Sequence, residues 1–261
     1  MSSFAALQMY DLPEVSKAWD RFWAVIRNGL VQRGIRCEQE LRRPFDYHQP
    51  WSDPQLILGQ TCGWPFVSGV RQDNTVLGVF DFGLDTPLPG DYYSFFIVSP
   101  ELAGISAADL LANPHITIAV NSLRSQSGYR VLGELADQPL ILTKNRHFDS
   151  GGHRASLRAV AAGEAQLAAI DGVTWKLLTR HDPAVEKVAI LGRSRPAPAL
   201  PLICSNAHSG HSGLLQEIVA DAVSTMDADD RHALMLRGFI PATASRYDEL
   251  LLPPYGNLCF A

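Results

Sequence analysis

Two segments of this chain each run from a β-prone stretch through a Ser/Gly turn into an amphipathic, helix-prone stretch. The first covers residues 116–121 and then 122–129; the second covers residues 150–156 and then 157–164. Strand, tight turn and helix in that order build an α/β fold. Each turn leaves backbone N–H groups and hydroxyls at a helix N-terminus, which carries about half a positive charge. Such an end receives phosphate-like or carboxylate groups. Neither segment contains an obvious nucleophile–base pair, so the pattern predicts holding an anion more than breaking a bond.

The same alternation runs through the rest of the chain. Residues 4–10 read as a buried strand, with Asp11 as a candidate helix cap and Pro13 in the first turn. Val15, Ala18, Trp19, Phe22, Trp23, Ile26 and Leu30 recur at three- and four-residue steps, which predicts a helix over residues 15–31. Further strands are expected at residues 75–80, 92–98, 116–120, 140–142, 164–171, 187–191 and 200–205. Residues 53–60 read as a short helix or strand, and residues 61–66 as a turn. Helices are expected at residues 106–111, 129–135, 172–178 (Asp171 at or near its cap), 213–226 and 229–237. This order favours mostly parallel sheets, whose ligands bind at the C-terminal ends of the strands. Tyr10, Thr61, Cys62, Gly63, Ser125, Ser127, His153 and Asp171 all fall at such ends.

Composition narrows the function. Of 261 residues, 46% are hydrophobic and 19% charged, so a packed core is expected and disorder is not. The net charge of −5 argues against a nucleic-acid surface. The four cysteines, Cys37, Cys62, Cys204 and Cys259, show no metal-finger spacing and read as free buried thiols. His208 and His211 are three residues apart without carboxylate or thiolate partners nearby, so no metal and no cofactor is expected. Residues 125–128 do not form a Gly-x-Ser-x-Gly elbow, and no phosphate-binding Gly-x-x-x-x-Gly-Lys motif occurs. The first ten residues lack a basic start, a long apolar run and a cleavage site, and no stretch nears the ~20 apolar residues of a membrane helix. As written the chain reads as cytoplasmic, or as periplasmic with an export signal upstream of this sequence.

Several stretches together resemble the phosphate/phosphonate substrate-binding proteins of ABC importers. They are Met9-Tyr10-Asp11, Gln60-Thr61-Cys62-Gly63, Tyr92-Tyr93-Ser94, the run from Asn121 to Gly128, Gly151-Gly152-His153-Arg154-Ala155-Ser156, and Ala168-Ala169-Ile170-Asp171. The resemblance implies the type II periplasmic-binding fold: two α/β lobes joined by two crossover hinge strands. Lobe one would be residues 1–92 plus 206–261 and lobe two residues 93–205, with crossovers near residues 93–98 and 200–205. It also implies a solute-binding protein, not an enzyme, that holds a small phosphonate-, phosphate- or carboxylate-like anion between the lobes and works with an ABC permease. The implied ligand contacts are Ser125, Ser127, Tyr10, Tyr93 and His153, with Thr61 and Asp171 beside them. The family's helix start usually reads Ser-Thr-Ser-Gly. Here Gln126 takes the middle place, and Arg124 adds a cation that suits a carboxylate as well as a phosphonate. His153 would change charge near neutral pH. Two other readings use the same fold. One is an enzyme akin to those of thiamin-pyrimidine synthesis, with Cys62 and His153 as nucleophile and base. The other is a cytoplasmic ligand sensor.

Overall fold

A computed structural model describes residues 2–135, 141–142, 146–252 and 259–260. In chain order the elements are β1 (Phe4–Ala6), α1 (Ser16–Gln32), β2 (Leu56–Gln60), α2 (Gly63–Pro65), β3 (Asn74–Asp81), β4 (Asp91–Tyr92), β5 (Ser94–Val98), α3 (Ala107–Ala112) and β6 (Ile118–Val120). They continue with β7 (Ile141–Leu142), β8 (His147–Asp149), α4 (His153–Ala161), β9 (Leu167–Asp171), α5 (Gly172–His181), β10 (Ala189–Arg193) and β11 (Ala197–Pro198). The last are β12 (Pro201–Ser205), α6 (Ser212–Ser224), α7 (Ala228–Leu234), β13 (Gly238–Pro241) and β14 (Cys259–Phe260).

The chain forms two compact units, residues 1–91 with 198–248, and residues 92–197 with 249–261. The expected boundary at residue 205 therefore moves back to residue 197. The reason is pairing: β12 lies between β2 and β3 in the first sheet, antiparallel to both, so residues 201–205 belong to that sheet's core. The predicted crossovers at residues 93–98 and 200–205 are interior strands instead. The chain crosses at β4 and β11, which pair as a two-stranded ribbon.

Each unit is built on a five-stranded sheet, ordered β1-β2-β12-β3-β13 in the first and β10-β5-β9-β6-β8 in the second. Both sheets are mixed, which corrects the expectation of mostly parallel ones. The first strand after each crossing runs against its neighbours: β5 against β9 and β10, and β12 against β2 and β3. Among the described residues, the pairs β1–β2, β6–β8 and β6–β9 of these sheets are parallel.

Helix α1 follows its predicted face. Trp19, Phe22, Trp23, Ile26 and Leu30 are buried, and the Trp19 and Phe22 rings lie 5.9 and 5.7 Å from the Phe80 ring of β3. Its start differs from expectation. Val15 occupies the cap position, while Asp11 accepts a 2.6 Å hydrogen bond from the Ser16 hydroxyl. The first strand is also shorter than expected, because residues 8–10 tighten into a 3₁₀ turn after β1. Residues 61–66 contain α2, which continues into a π-helical turn over Phe66–Val70. Of the strand expected at residues 140–142, Ile141–Leu142 pairs in parallel with β14, and Leu140 lies outside the described residues. Cys37, Cys62 and Cys204 are buried thiols outside any disulfide among the described residues; the Cys259 side chain lies outside the described residues. Among the described residues no helix is long and apolar enough to cross a membrane.

Candidate functional site

Strand direction gathers the predicted residues of the second unit at one edge. β6, β8 and β9 run in parallel, so their C-terminal ends share a side of the sheet. From those ends the chain continues into residues 121–128, residues 150–153 and Asp171 respectively. β5 is antiparallel to β9, with Ser94 opposite Asp171, which brings Tyr93 to the same edge. β10 is antiparallel to β5, with Arg193 opposite Phe95, which brings Arg193 there too.

The two turns meet side chain to side chain. Ser127 Oγ lies 3.0 Å from His153 Nε2, and Asn121 Nδ2 lies 3.3 Å from the same nitrogen. Ser125 Oγ lies 3.5 Å from Ser127 Oγ and accepts from the Gly128 N–H at 3.0 Å. A β-carbon on Gly128 would overlap Asn121 Oδ1 and lie 3.1 Å from His153 Cε1, so only glycine lets these parts close up. Ser125, Gln126 and Ser127 are all buried.

The second turn forms as the sequence predicts. Gly151 takes φ +81°, and helix α4 starts at His153. Ser150 Oγ closes this turn through the Val120 carbonyl at 3.1 Å and Ser156 Oγ at 2.7 Å. The first turn does not lead into the expected α-helix. Residues 122–129 form successive turns and then a 3₁₀ helix over Arg130–Leu135. The N–H groups of Arg130 and Val131 reach back five residues, to the carbonyls of Ser125 and Gln126. The wide turn brings the Ser125 and Ser127 hydroxyls to 3.5 Å from each other in place of the expected helix end.

His153 does not titrate near neutral pH as expected. Burial pushes its pKa down to about 4, and the Ala169 carbonyl pulls weakly the other way. The residue as a whole keeps some exposure, but Nδ1 is buried and makes no hydrogen bond of normal geometry. The burial of that nitrogen decides the direction, because a proton added there would be poorly solvated. At pH 7 the imidazole is neutral, and its Nε2 can accept from the Ser127 hydroxyl or donate to it.

Asp171 is buried, and its Oδ1 accepts from the N–H groups of Val173 at 2.8 Å and Thr174 at 3.0 Å, capping α5. Asp171→Ala is expected to cost about 1–2 kcal/mol of stability in urea unfolding, the usual worth of a helix cap. Arg124 is exposed, and its backbone N–H donates to Ser122 Oγ at 3.2 Å. Arg193, which the sequence reading missed, lies exposed with its guanidinium 5.0 Å from the centre of the Tyr93 ring.

The remaining predicted residues sit on the first unit. β1 and β2 are parallel, so Tyr10 and Thr61 follow strand ends on one side of that sheet. Tyr10 is buried with its ring 4.9 Å from that of Phe82. Thr61 is fully buried and donates from Oγ1 to the Cys62 carbonyl at 3.2 Å. Two surface grooves, of ≈350 Å³ beside Gly29 and Ile218 and ≈420 Å³ beside Arg158 and Asp182, contain none of these residues.

Two α/β units linked by a paired ribbon, with hydroxyls, an imidazole and cations at a strand-end edge, define a two-lobed substrate-binding protein. The profile of the family described as ABC transporter, phosphonate, periplasmic substrate-binding protein matches residues 54–247, more than half of the chain. The chain belongs to that family. Its fold is similar to that of a Xanthomonas citri protein solved with ATP, with TM-score 0.70, 18% identity and 96% of each chain covered. It is similar to PhnD1 from Prochlorococcus marinus in complex with methylphosphonate, with TM-score 0.69, 13% identity, and 95% of this chain and 96% of that chain covered. It is also similar to a binding protein component of an ABC phosphonate transporter from Pseudomonas aeruginosa, with TM-score 0.69, 16% identity, and 97% and 84% covered. No curated protein matches the sequence.

Proposed function

We propose that this protein binds a small anion with a phosphonate-, phosphate- or carboxylate-like head and delivers it to an ABC permease without chemical change. The observation that carries this reading is the Ser125–Ser127–His153 cluster at the strand-end edge of the second unit. The Ser125 and Ser127 hydroxyls lie side by side next to the His153 imidazole, where hydroxyl groups can turn to donate to an anion. Hydroxyls and a neutral imidazole bind by hydrogen bonds aimed at oxygen, which favours a tetrahedral or planar oxyanion over a hydrophobic solute. Tyr93 and Arg124 flank the seat, and Tyr10 and Thr61 stand at strand ends of the first unit's own sheet. Asp171 holds the start of α5 and leaves the anion to the serines. We place the working protein in the periplasm with its family.

A Ser–His contact at 3.0 Å also invites an enzymatic reading. A general base works best with a pKa near the operating pH. His153 is held at about 4, and its Nε2 is engaged by Ser127 and Asn121, which disfavours it as base for Ser127 or Cys62.

The test is thermal unfolding against phosphate, phosphite, small alkylphosphonates, sulfonates and carboxylates. An anion at about 100 times its Kd stabilises a protein by about 2.7 kcal/mol, a shift of several degrees. One anion class should give that shift, and Ser127→Ala should weaken its binding about tenfold. No shift with any anion overturns the reading.

A further inference from the structure

Asn121 decides which serine gives its proton to a ligand. Its Nδ2 lies 3.3 Å from His153 Nε2, and an amide nitrogen only donates. The amide oxygen is the atom closest to where a β-carbon on Gly128 would sit, so it packs against the C–H side of that glycine. A carbonyl oxygen tolerates C–H groups, whereas the reverse orientation would press N–H donors onto carbon. With Asn121 donating, Nε2 is a bare acceptor, and the neutral imidazole carries its proton on Nδ1. The Ala169 carbonyl beside the ring suits that tautomer. Ser127 Oγ lies 3.0 Å from the same bare nitrogen. Two lone pairs do not face each other at this distance, so the hydrogen between them is the serine's own. Ser127 has then used its one proton and offers lone pairs to a ligand. Ser125 differs. Its Oγ accepts from the Gly128 N–H at 3.0 Å. Its own proton meets Ser127 Oγ only at 3.5 Å, well beyond the usual length of about 2.8 Å, and stays available to a stronger acceptor.

We infer that the seat reads a proton on the ligand: Ser125 donates to a charged oxygen and Ser127 accepts from an acidic O–H, so the ligand enters as a phosphorus oxyanion that still carries one proton. This rests on the anion-seat reading proposed above and narrows its ligand class. A sulfonate has the same tetrahedral shape and single charge but no proton, and a carboxylate has lost its proton at neutral pH. Either would set an oxygen lone pair against those of Ser127. A site built to bond a ligand hydroxyl rejects an analogue without one, because its own polar group is left unpaired. Asn121 is a positioning residue here: it acts through the His153 tautomer on the direction of the Ser127 hydrogen bond.

The experiment is calorimetric titration of the whole protein with methylphosphonate and propylphosphonate against methanesulfonate and propanesulfonate. It is run at pH 6, near the second ionisation of a phosphoryl group, where the phosphonates still carry a proton. The wild type should bind a phosphonate at least about tenfold tighter than the sulfonate of the same skeleton. Ser127→Ala removes the acceptor and should bring the pair within about threefold, whereas Ser125→Ala should weaken both members alike and keep the gap. Asn121→Asp puts a carboxylate beside Nε2, which calls the ring proton to that nitrogen and frees the Ser127 hydroxyl, so it should also close the gap. Nitrogen-15 NMR of histidine-labelled protein, with His153→Asn to identify the signal, should show the wild-type ring proton on Nδ1. A sulfonate bound as tightly as its phosphonate, a gap that survives in Ser127→Ala or Asn121→Asp, or a proton on Nε2 overturns the inference alone. Binding of none of the four anions overturns the anion-seat reading, and this inference with it.

Discussion

Gly128→Ala should weaken anion binding at least a hundredfold, far more than the loss of any one hydroxyl. The added β-carbon would occupy the place of Asn121 Oδ1 and come within 3.1 Å of His153 Cε1. Asn121 and His153 are joined at 3.3 Å, and His153 and Ser127 at 3.0 Å. The Asn121 amide can yield only by leaving the imidazole. The alternative is that residues 125–128 lift away, which parts Ser127 from His153. Either movement breaks the seat, whereas Ser127→Ala removes one donor and leaves the frame standing. Overpacking of this kind also costs about 1–3 kcal/mol of stability. Calorimetric titration with the best anion of the panel reads the first effect and urea unfolding the second. Asn121→Ala should make room for the methyl group, so the double variant Asn121→Ala with Gly128→Ala should bind more tightly than Gly128→Ala alone. Coupling of that sign is what residues in direct contact show. Wild-type affinity in Gly128→Ala would mean that the cluster does not hold the anion.

This arrangement was only partly legible in the sequence. The Gly151-Gly152 pair and the spacing of Leu157 and Val160 foretold the turn and helix that carry His153, because both signals are local. The segment after β6 was misread for an equally local reason. Its Ser/Gly composition fits a helix start, but Gly128 is there to pass close to Asn121 and His153, a contact 25 residues away in sequence for the histidine (153 − 128). Asp171 could be read as a cap or as a ligand contact from sequence; the hydrogen bonds to Val173 and Thr174 give it to the helix. Strand direction was not legible at all. Periodicity marks a strand but does not say which neighbour it finds, and the strands that follow the crossings at β4 and β11 run against their neighbours. Arg193 was hidden for the same reason. In sequence it precedes a Pro-rich bend, and only the register of β10 on β5 sets it over Tyr93.

Acidification from pH 7 to pH 4.5 should destabilise the protein through His153, by about 2–3 kcal/mol. The unfolded imidazole titrates at 6.5 and the folded one near 4. Above pH 6.5 neither state binds the proton, and His153 gives stability no slope. Between 6.5 and 4 the unfolded chain takes up a proton that the folded one refuses, so each step down in pH favours unfolding. Below 4 both states are protonated and the slope vanishes. Carboxylates also titrate in this range, so the measurement is a difference. Urea unfolding of wild type and His153→Asn at pH 7 and pH 4.5 isolates the histidine, and the variant should lose about 2–3 kcal/mol less than wild type on acidification. Equal losses would mean that His153 titrates like an exposed imidazole. The same burial fixes how the seat works. A neutral ring supplies direction and not charge, so Ser127 is oriented alike at pH 6 and pH 8. Anion affinity over that range should then follow the ligand's own ionisation.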